Sequence, residues 1–121
     1  MFTFDTNTLI YYFQGRKSTV DFIKEHKFDL FFIPSIVITE FLSYPLISKE
    51  TERLFLEMVQ SMIIVNLDLE IAQHAGYLRR KYKIKTVDAI IASSAILTNT
   101  TLLTYNIEDF KKIKEVKIIS P

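Results

Sequence analysis

Apolar residues along the chain alternate between short continuous runs and longer stretches with helical spacing. The continuous runs predict five strands, at residues 2–5, 30–33, 63–65, 101–105 and 116–119. The stretches with helical spacing predict helices at 8–14, 18–26, 36–44, 50–62, 68–82, 87–97 and 107–112. Strands that alternate with helices predict an α/β fold, a three-layer open parallel sheet with helices on both faces.

Polar residues at the ends of these segments predict where helices begin and where strand ends meet. Ser35 and Thr86 are expected to cap the helices that follow them. We expect the strand order 3-2-1-4-5, which makes the ends of the first and fourth strands neighbours. In open parallel sheets, ligands bind beyond the carboxyl ends of the strands at this point of reversal.

Composition limits the class of protein. At 121 residues and 14.2 kDa, the chain is expected to be one domain spanning 1–121. The absence of cysteine excludes disulfides, thiolate metal sites and a cysteine nucleophile. No signal peptide is visible, and no apolar stretch approaches the ~20 residues of a membrane-spanning helix. The expected location is the cytoplasm.

Three carboxylates interrupt apolar runs, at Asp5, Glu40 and Asp88. Burying a charged group is costly unless a cation or strong hydrogen-bond donors compensate it. A fourth acid, Asp109, lies close to the last strands. Acids on separate elements that converge at one sheet edge predict a carboxylate cage around a divalent metal.

Each acid also has a structural interpretation. Asp5 can cap the helix after the first strand, and Asp88 can complement the dipole of its helix. Asp109 can be a solvated acid on a short helix. Glu40 has no basic neighbour three or four residues away on its helix, although a tertiary ion pair stays open. Four such acids together favour a common site.

Four segments carry a resemblance to a known family. They are Phe4-Asp5-Thr6-Asn7-Thr8-Leu9-Ile10, Pro34-Ser35-Ile36-Val37-Ile38-Thr39-Glu40-Phe41, Val87-Asp88-Ala89-Ile90-Ile91-Ala92 and Leu103-Thr104-Tyr105-Asn106-Ile107-Glu108-Asp109-Phe110. In this order and spacing the chain resembles the PIN-domain nucleases, and among them the VapC-like ribonuclease toxins of prokaryotic toxin–antitoxin pairs.

The resemblance implies an acidic metal site that hydrolyses RNA. Its catalytic and metal-binding residues would be Asp5, Glu40, Asp88 and Asp109, with Thr104, Asn106 and Asn7 in support. Mg²⁺ or Mn²⁺ suits oxygen ligands and can activate a water for attack on the phosphodiester. By the same resemblance, a cognate antitoxin and a homodimer are the expected partners.

Basic and aromatic residues suggest where RNA and a partner would bind. Runs of lysine and arginine flank two of the acids, and the denser run predicts RNA contacts at Arg79, Arg80, Lys81, Lys83 and Lys85. Tyr11, Tyr12 and Tyr105 could stack on unpaired bases or serve as packing residues. A groove for a partner segment is predicted at Phe41, Tyr44, Leu46, Phe55 and Met58.

Two other functions stay open at this stage. One is a housekeeping RNA-processing nuclease of the same fold, and the other is a non-catalytic binding module that retains the acids. An enzyme that forms an aspartyl phosphate is disfavoured, because Asn7 stands where such an enzyme would normally carry a second aspartate.

Overall fold

The computed structural model describes all residues from 1 to 121, and they form five strands and seven helices. The strands are β1 (Phe2–Phe4), β2 (Phe31–Pro34), β3 (Ile63–Val65), β4 (Thr101–Leu103) and β5 (Lys117–Ile119). The helices are α1 (Thr6–Phe13), α2 (Lys17–Glu25), α3 (Ser35–Leu42), α4 (Lys49–Gln60), α5 (Leu69–Tyr82), α6 (Thr86–Leu97) and α7 (Ile107–Phe110).

The strands form one parallel sheet in the order β3-β2-β1-β4-β5, which confirms the predicted order. β1 lies at the centre, and its Phe4 pairs with Leu103 of β4. Because parallel strands run in the same direction, β1 and β4 end at the same edge of the sheet. The residues that follow these two strands are therefore neighbours in space, although about a hundred positions separate them in sequence.

Helices pack on both faces of the sheet. Alternate residues of a strand point to opposite faces. On one face, the Phe2 ring lies 5.1 Å from the Phe22 ring of α2. On the other face, the Thr3 hydroxyl hydrogen-bonds the hydroxyl of Thr100, which follows α6. The sheet is thus the middle layer of three.

Helix α6 is the central helix of the core. Its residues Ala89–Ala95 are all buried, which explains why the segment is apolar nearly all round. Helices α2, α4 and α5 bury one face and expose charged residues on the other. None of the helices is both long and apolar enough to cross a membrane.

Several element ends differ from the sequence-based expectation. α1 begins at Thr6 rather than residue 8, because Asp5 itself is the N-cap. The N-cap of α3 is Pro34, and the Ser35 hydroxyl accepts a hydrogen bond from the Leu67 N–H at 3.2 Å instead of capping the helix. Thr86 is the first residue of α6 rather than its cap. These differences leave the sheet order and the strand ends unchanged.

Candidate active site

Asp5 follows β1 directly and is 4% exposed. Its Oδ1 accepts a hydrogen bond from the Thr8 N–H at 2.9 Å, which caps α1. Its Oδ2 accepts a hydrogen bond from the hydroxyl of Thr104, just beyond β4. The structural role considered for Asp5, helix capping, is therefore present, and the second oxygen is fixed by the neighbouring strand.

Glu40 approaches the same edge of the sheet from α3. Its side chain is half-buried, and its Oε1 accepts a hydrogen bond from the hydroxyl of Thr6, next to Asp5. No lysine or arginine forms an ion pair with Glu40. The tertiary salt bridge that would have explained this acid is absent, and Glu40 instead contacts the first turn of α1.

Asp88 and Asp109 line a cavity of ≈ 150 Å³ beside the first turn of α6. Asp109 is held by Asn106, whose side-chain amide donates to Asp109 Oδ2 at 3.0 Å. The Asn106 N–H in turn donates to Thr104 Oγ1 at 2.9 Å. A continuous chain of hydrogen bonds therefore runs from Asp5 through Thr104 and Asn106 to Asp109.

Two of the four acids, Asp5 and Asp88, have a pKa above the ordinary value of aspartate. Burial raises the pKa of Asp5, and the Thr104 and Thr8 hydrogen bonds oppose that rise. Burial also raises the pKa of Asp88, and the charge of Asp109 raises it further. The charge of Lys85 opposes this rise, and Glu40 and Asp5 add smaller increases to the pKa of Asp88.

Comparison with known proteins agrees with this geometry. A family model for the PIN domain matches residues 2–116. The chain belongs to the PIN domain family. The sequence is also 30% identical to Ribonuclease VapC1 from Rickettsia felis over 127 aligned positions, which cover 96% of this chain and 92% of that relative. Both matches confirm the resemblance drawn from the four motifs.

Solved structures share the fold of this PIN domain over its full length. A toxin–antitoxin complex from Klebsiella pneumoniae contains a chain with 28% identity and a TM-score of 0.85, with 98% of this chain and 96% of that chain covered. The VapBC2 complex from Rickettsia felis bound to a DNA fragment from its promoter gives 25% identity and a TM-score of 0.84, with 99% and 98% covered.

The donor atoms of the PIN domain site fit a hard divalent cation in kind. All four side chains offer carboxylate oxygens, the ligands that Mg²⁺ and Mn²⁺ prefer. No group of three or more His, Cys, Asp or Glu side chains is placed to hold a metal ion, however. An ion bound here would take its remaining ligands from water or substrate phosphate, as Mg²⁺ commonly does. The chemistry of the carboxylates therefore suits a hydrated Mg²⁺ or Mn²⁺, but the side chains do not form a preformed cage of three ligands.

The predicted basic residues of the PIN domain fall into two groups. Lys83 and Lys85 line the same cavity as Asp88, together with Lys112. Lys81 instead forms an ion pair with Glu115 at 3.0 Å. The remaining two do not line that cavity: Arg79 Nε donates to the Ile84 carbonyl at 3.0 Å, and Arg80 is exposed on α5.

The predicted partner groove is only partly at the surface. Phe41, Tyr44 and Leu46 line an apolar hollow of ≈ 190 Å³. Phe55 is fully buried and its ring stacks on Phe41 at 3.9 Å, so Phe55 is a core residue rather than part of a groove. Met58 lines two other hollows, next to Tyr12.

Sequence reasoning assigned no role to two residues of this site, Thr6 and Thr8. Thr6 holds Glu40, and the Thr8 hydroxyl donates to the Leu103 carbonyl at 2.9 Å, which ties α1 to β4. Lys112 lines the acidic cavity, with its Nζ 4.0 Å from Asp109 Oδ1. Lys112 belongs to the second of the two basic runs that the sequence places beside the acids. Asn7, predicted as a supporting residue, is exposed on the first turn of α1.

Proposed function

We propose that this PIN domain is a divalent-metal-dependent endoribonuclease that acts as the toxin of a toxin–antitoxin pair. The observation that supports the proposal is that Asp5, Glu40, Asp88 and Asp109 lie around the ends of β1 and β4, where hydrogen bonds connect Asp5 to Asp109 and where burial and the charges of the other three acids raise the pKa of Asp88. The likeness to Ribonuclease VapC1 supports RNA as the substrate.

Hydrolysis of a phosphodiester needs an activated water and compensation of the charge that develops on the phosphate. Bound Mg²⁺ or Mn²⁺ would lower the pKa of a water and neutralise that charge. Asp5, Glu40, Asp88 and Asp109 are the residues that would hold the ion. Asp5 is the most rigidly held, since Thr8 and Thr104 each bind one of its oxygens.

Orientation of the attacking water is assigned to Asp88. Its carboxylate lines the cavity beside Asp109, where it can accept a hydrogen bond from that water. Lys83, Lys85 and Lys112, which share its cavity, are suited to contact substrate phosphates. They offset the repulsion between an acidic site and a polyanion.

The partner assignment rests on the relatives. Two similar structures are described as a toxin–antitoxin complex and a VapBC2 complex. The hollow lined by Phe41, Tyr44 and Leu46 offers an apolar surface for the amphipathic segment of an antitoxin. A homodimer and action on RNA in the cytoplasm complete the proposal.

The direct test is cleavage of a mixed-sequence single-stranded RNA by the purified chain with Mg²⁺, with Mn²⁺ and with EDTA. We expect cleavage with either metal, none with EDTA, and none by Asp5→Asn. Asp29→Asn is the matched control, because Asp29 is an exposed acid outside the site. Equal cleavage by wild type and Asp5→Asn would contradict the catalytic assignment.

Growth measurements separate the toxin from the other two functions. We expect induction of the wild-type chain to arrest growth, and Asp5→Asn to relieve the arrest. Cleavage in vitro without growth arrest would favour a housekeeping nuclease. RNA binding without cleavage under any metal would favour a non-catalytic module.

A further inference from the structure

Arg16 is held between two tyrosine rings. It lies between α1 and α2, with its guanidinium carbon 3.9 Å from the centre of the Tyr105 ring and 4.7 Å from that of Tyr11. The two rings meet edge to face at 84°, with their centres 5.2 Å apart. Both distances are within the range of cation–π attraction, so the rings define where this charge sits.

The Tyr105 ring is itself anchored. Its hydroxyl hydrogen-bonds the Ser18 hydroxyl at 2.5 Å and the Thr19 hydroxyl at 2.7 Å, both on α2. An anchored ring limits the number of orientations open to the guanidinium. Arg16 is therefore ordered before any ligand arrives, which reduces the entropy lost on binding.

Arg16 lies at the same sheet edge as the acids. The far end of α2 is near the start of β1, because His26, which follows α2, packs its ring 5.0 Å from Phe2. The helix thus runs opposite to the strand, and its first residues are at the edge where β1 ends. Tyr105 is also the direct neighbour of Thr104, which holds Asp5, at about 3.8 Å along the backbone.

No acidic side chain forms an ion pair with Arg16. Arg16 is exposed, and it belongs to none of the ion pairs of the chain. Arg53, by contrast, forms ion pairs with Glu50 and Glu57, each at 2.7 Å. An arginine fixed by aromatic rings with free N–H donors can bind a phosphate group through two parallel hydrogen bonds.

We propose that Arg16 is a substrate-binding residue that contacts a backbone phosphate of the RNA strand bound at the acidic site. The inference rests on the proposed function and adds a second contact point for the substrate. Lys83, Lys85 and Lys112 approach the acids from α5, α6 and α7, whereas Arg16 approaches from α1 and α2. With Arg16 in contact with both rings, Tyr11 and Tyr105 support a cation rather than stack on bases.

Binding without cleavage tests the inference directly. The affinity of a fluorescent single-stranded RNA would be measured in EDTA across a range of salt concentrations. We expect Arg16→Ala to weaken binding about tenfold, the equivalent of one lost charged hydrogen-bond pair. The slope of log affinity against log salt should fall in magnitude by about 0.7, the value for one phosphate contact on a single strand. Affinity and slope equal to wild type would overturn the inference.

Control variants separate the contact from general charge or folding effects. Arg53→Ala removes an exposed arginine from α4 and should change neither affinity nor slope. Arg16→Lys should restore the slope but only part of the affinity, because lysine keeps the charge without the planar fork. Tyr105→Leu should weaken binding while the slope is retained, since the charge remains but is no longer held. Loss of binding by Arg53→Ala as well would overturn the inference.

The two proposals fail separately. If Arg16→Ala lowers RNA affinity while the wild type cleaves no RNA with any metal, the phosphate contact stands and the nuclease assignment fails. If the wild type cleaves RNA and Arg16→Ala binds and cleaves equally well, the nuclease stands and the contact fails. In the cleavage assay, Arg16→Ala should raise KM and leave kcat nearly unchanged.

Discussion

The Thr104 hydroxyl donates a hydrogen bond to Asp5 Oδ2, and the two residues lie just beyond the adjoining ends of β4 and β1. The same Thr104 oxygen accepts the N–H of Asn106 at 2.9 Å. One hydroxyl therefore compensates a buried carboxylate and orders the turn that carries Asp109. This pair of contacts explains how a parallel sheet can hold an acid that is almost completely buried.

The first prediction concerns Thr104→Val, which removes that hydroxyl at nearly constant volume. It leaves an oxygen of Asp5 and the N–H of Asn106 without a partner, so the free energy of unfolding should fall by about 1–3 kcal/mol. Because the lost hydrogen bond had lowered the pKa of Asp5, the acidic limb of the activity profile should move to higher pH. Urea unfolding and a pH–rate profile measure both effects, and Thr104→Ser should behave as wild type.

The second prediction concerns Thr6→Val. The Thr6 hydroxyl orients Glu40 without being buried deeply, so its loss should affect activity more than stability. Partners that orient a metal-binding side chain commonly contribute about 10–100-fold to affinity or rate. We expect the single-turnover rate constant for RNA cleavage to fall at least about tenfold. Thr6→Ser should recover it, and full activity of Thr6→Val would show that Glu40 needs no such partner.

The third prediction concerns the stability of the metal-free protein at different pH values. Because the folded state raises the pKa of Asp88, it binds the proton more tightly than the unfolded chain does. The contribution of Asp88 to stability is therefore present below about pH 4 and is lost as the pH rises through the folded-state pKa. At pH 7 in EDTA, Asp88→Asn should unfold at a higher temperature than wild type.

With Mg²⁺ present, the order of the two melting temperatures should reverse, so that wild type unfolds at the higher temperature. Under the proposed function Mg²⁺ would bind only the folded state, through the carboxylates, so it should raise the melting temperature of wild type and have little effect on Asp88→Asn. The difference in melting temperature between metal-free wild type and metal-free Asp88→Asn should become smaller as the pH falls towards about 4. Lower stability of Asp88→Asn in EDTA at pH 7 would show that Asp88 carries no electrostatic penalty.

The strand order and the family were both predictable from the sequence, and both are confirmed. Apolar runs of three to five residues are too short for typical helices and therefore favour strands, and the helices between them favour a parallel arrangement. The acids Asp5 and Asp88 stood out because burial of an unpaired charge is unfavourable. Their use as catalytic groups stays a prediction.

Other parts of the site depend on contacts that the sequence does not encode locally. Glu40 accepts a hydrogen bond from Thr6, which lies 34 positions away in the sequence. Nothing in the sequence around either residue indicates this contact. Ser35 is of a residue type that commonly caps helices, yet its hydroxyl accepts a hydrogen bond from the Leu67 N–H. Helical spacing likewise shows that Phe55 faces inward, but not whether that face meets the core or an open groove.

The last prediction follows from this difference between Phe55 and Leu46, which the sequence had assigned to one groove. Phe55 is 0% exposed and Leu46 is 84% exposed. Phe55→Ala should lower the free energy of unfolding by about 3–5 kcal/mol because it leaves a cavity beside Phe41. Leu46→Ser should change it by less than about 0.5 kcal/mol, since its side chain is already in water. Urea denaturation of both variants measures the contrast, and equal losses would mean that Leu46 is packed in solution.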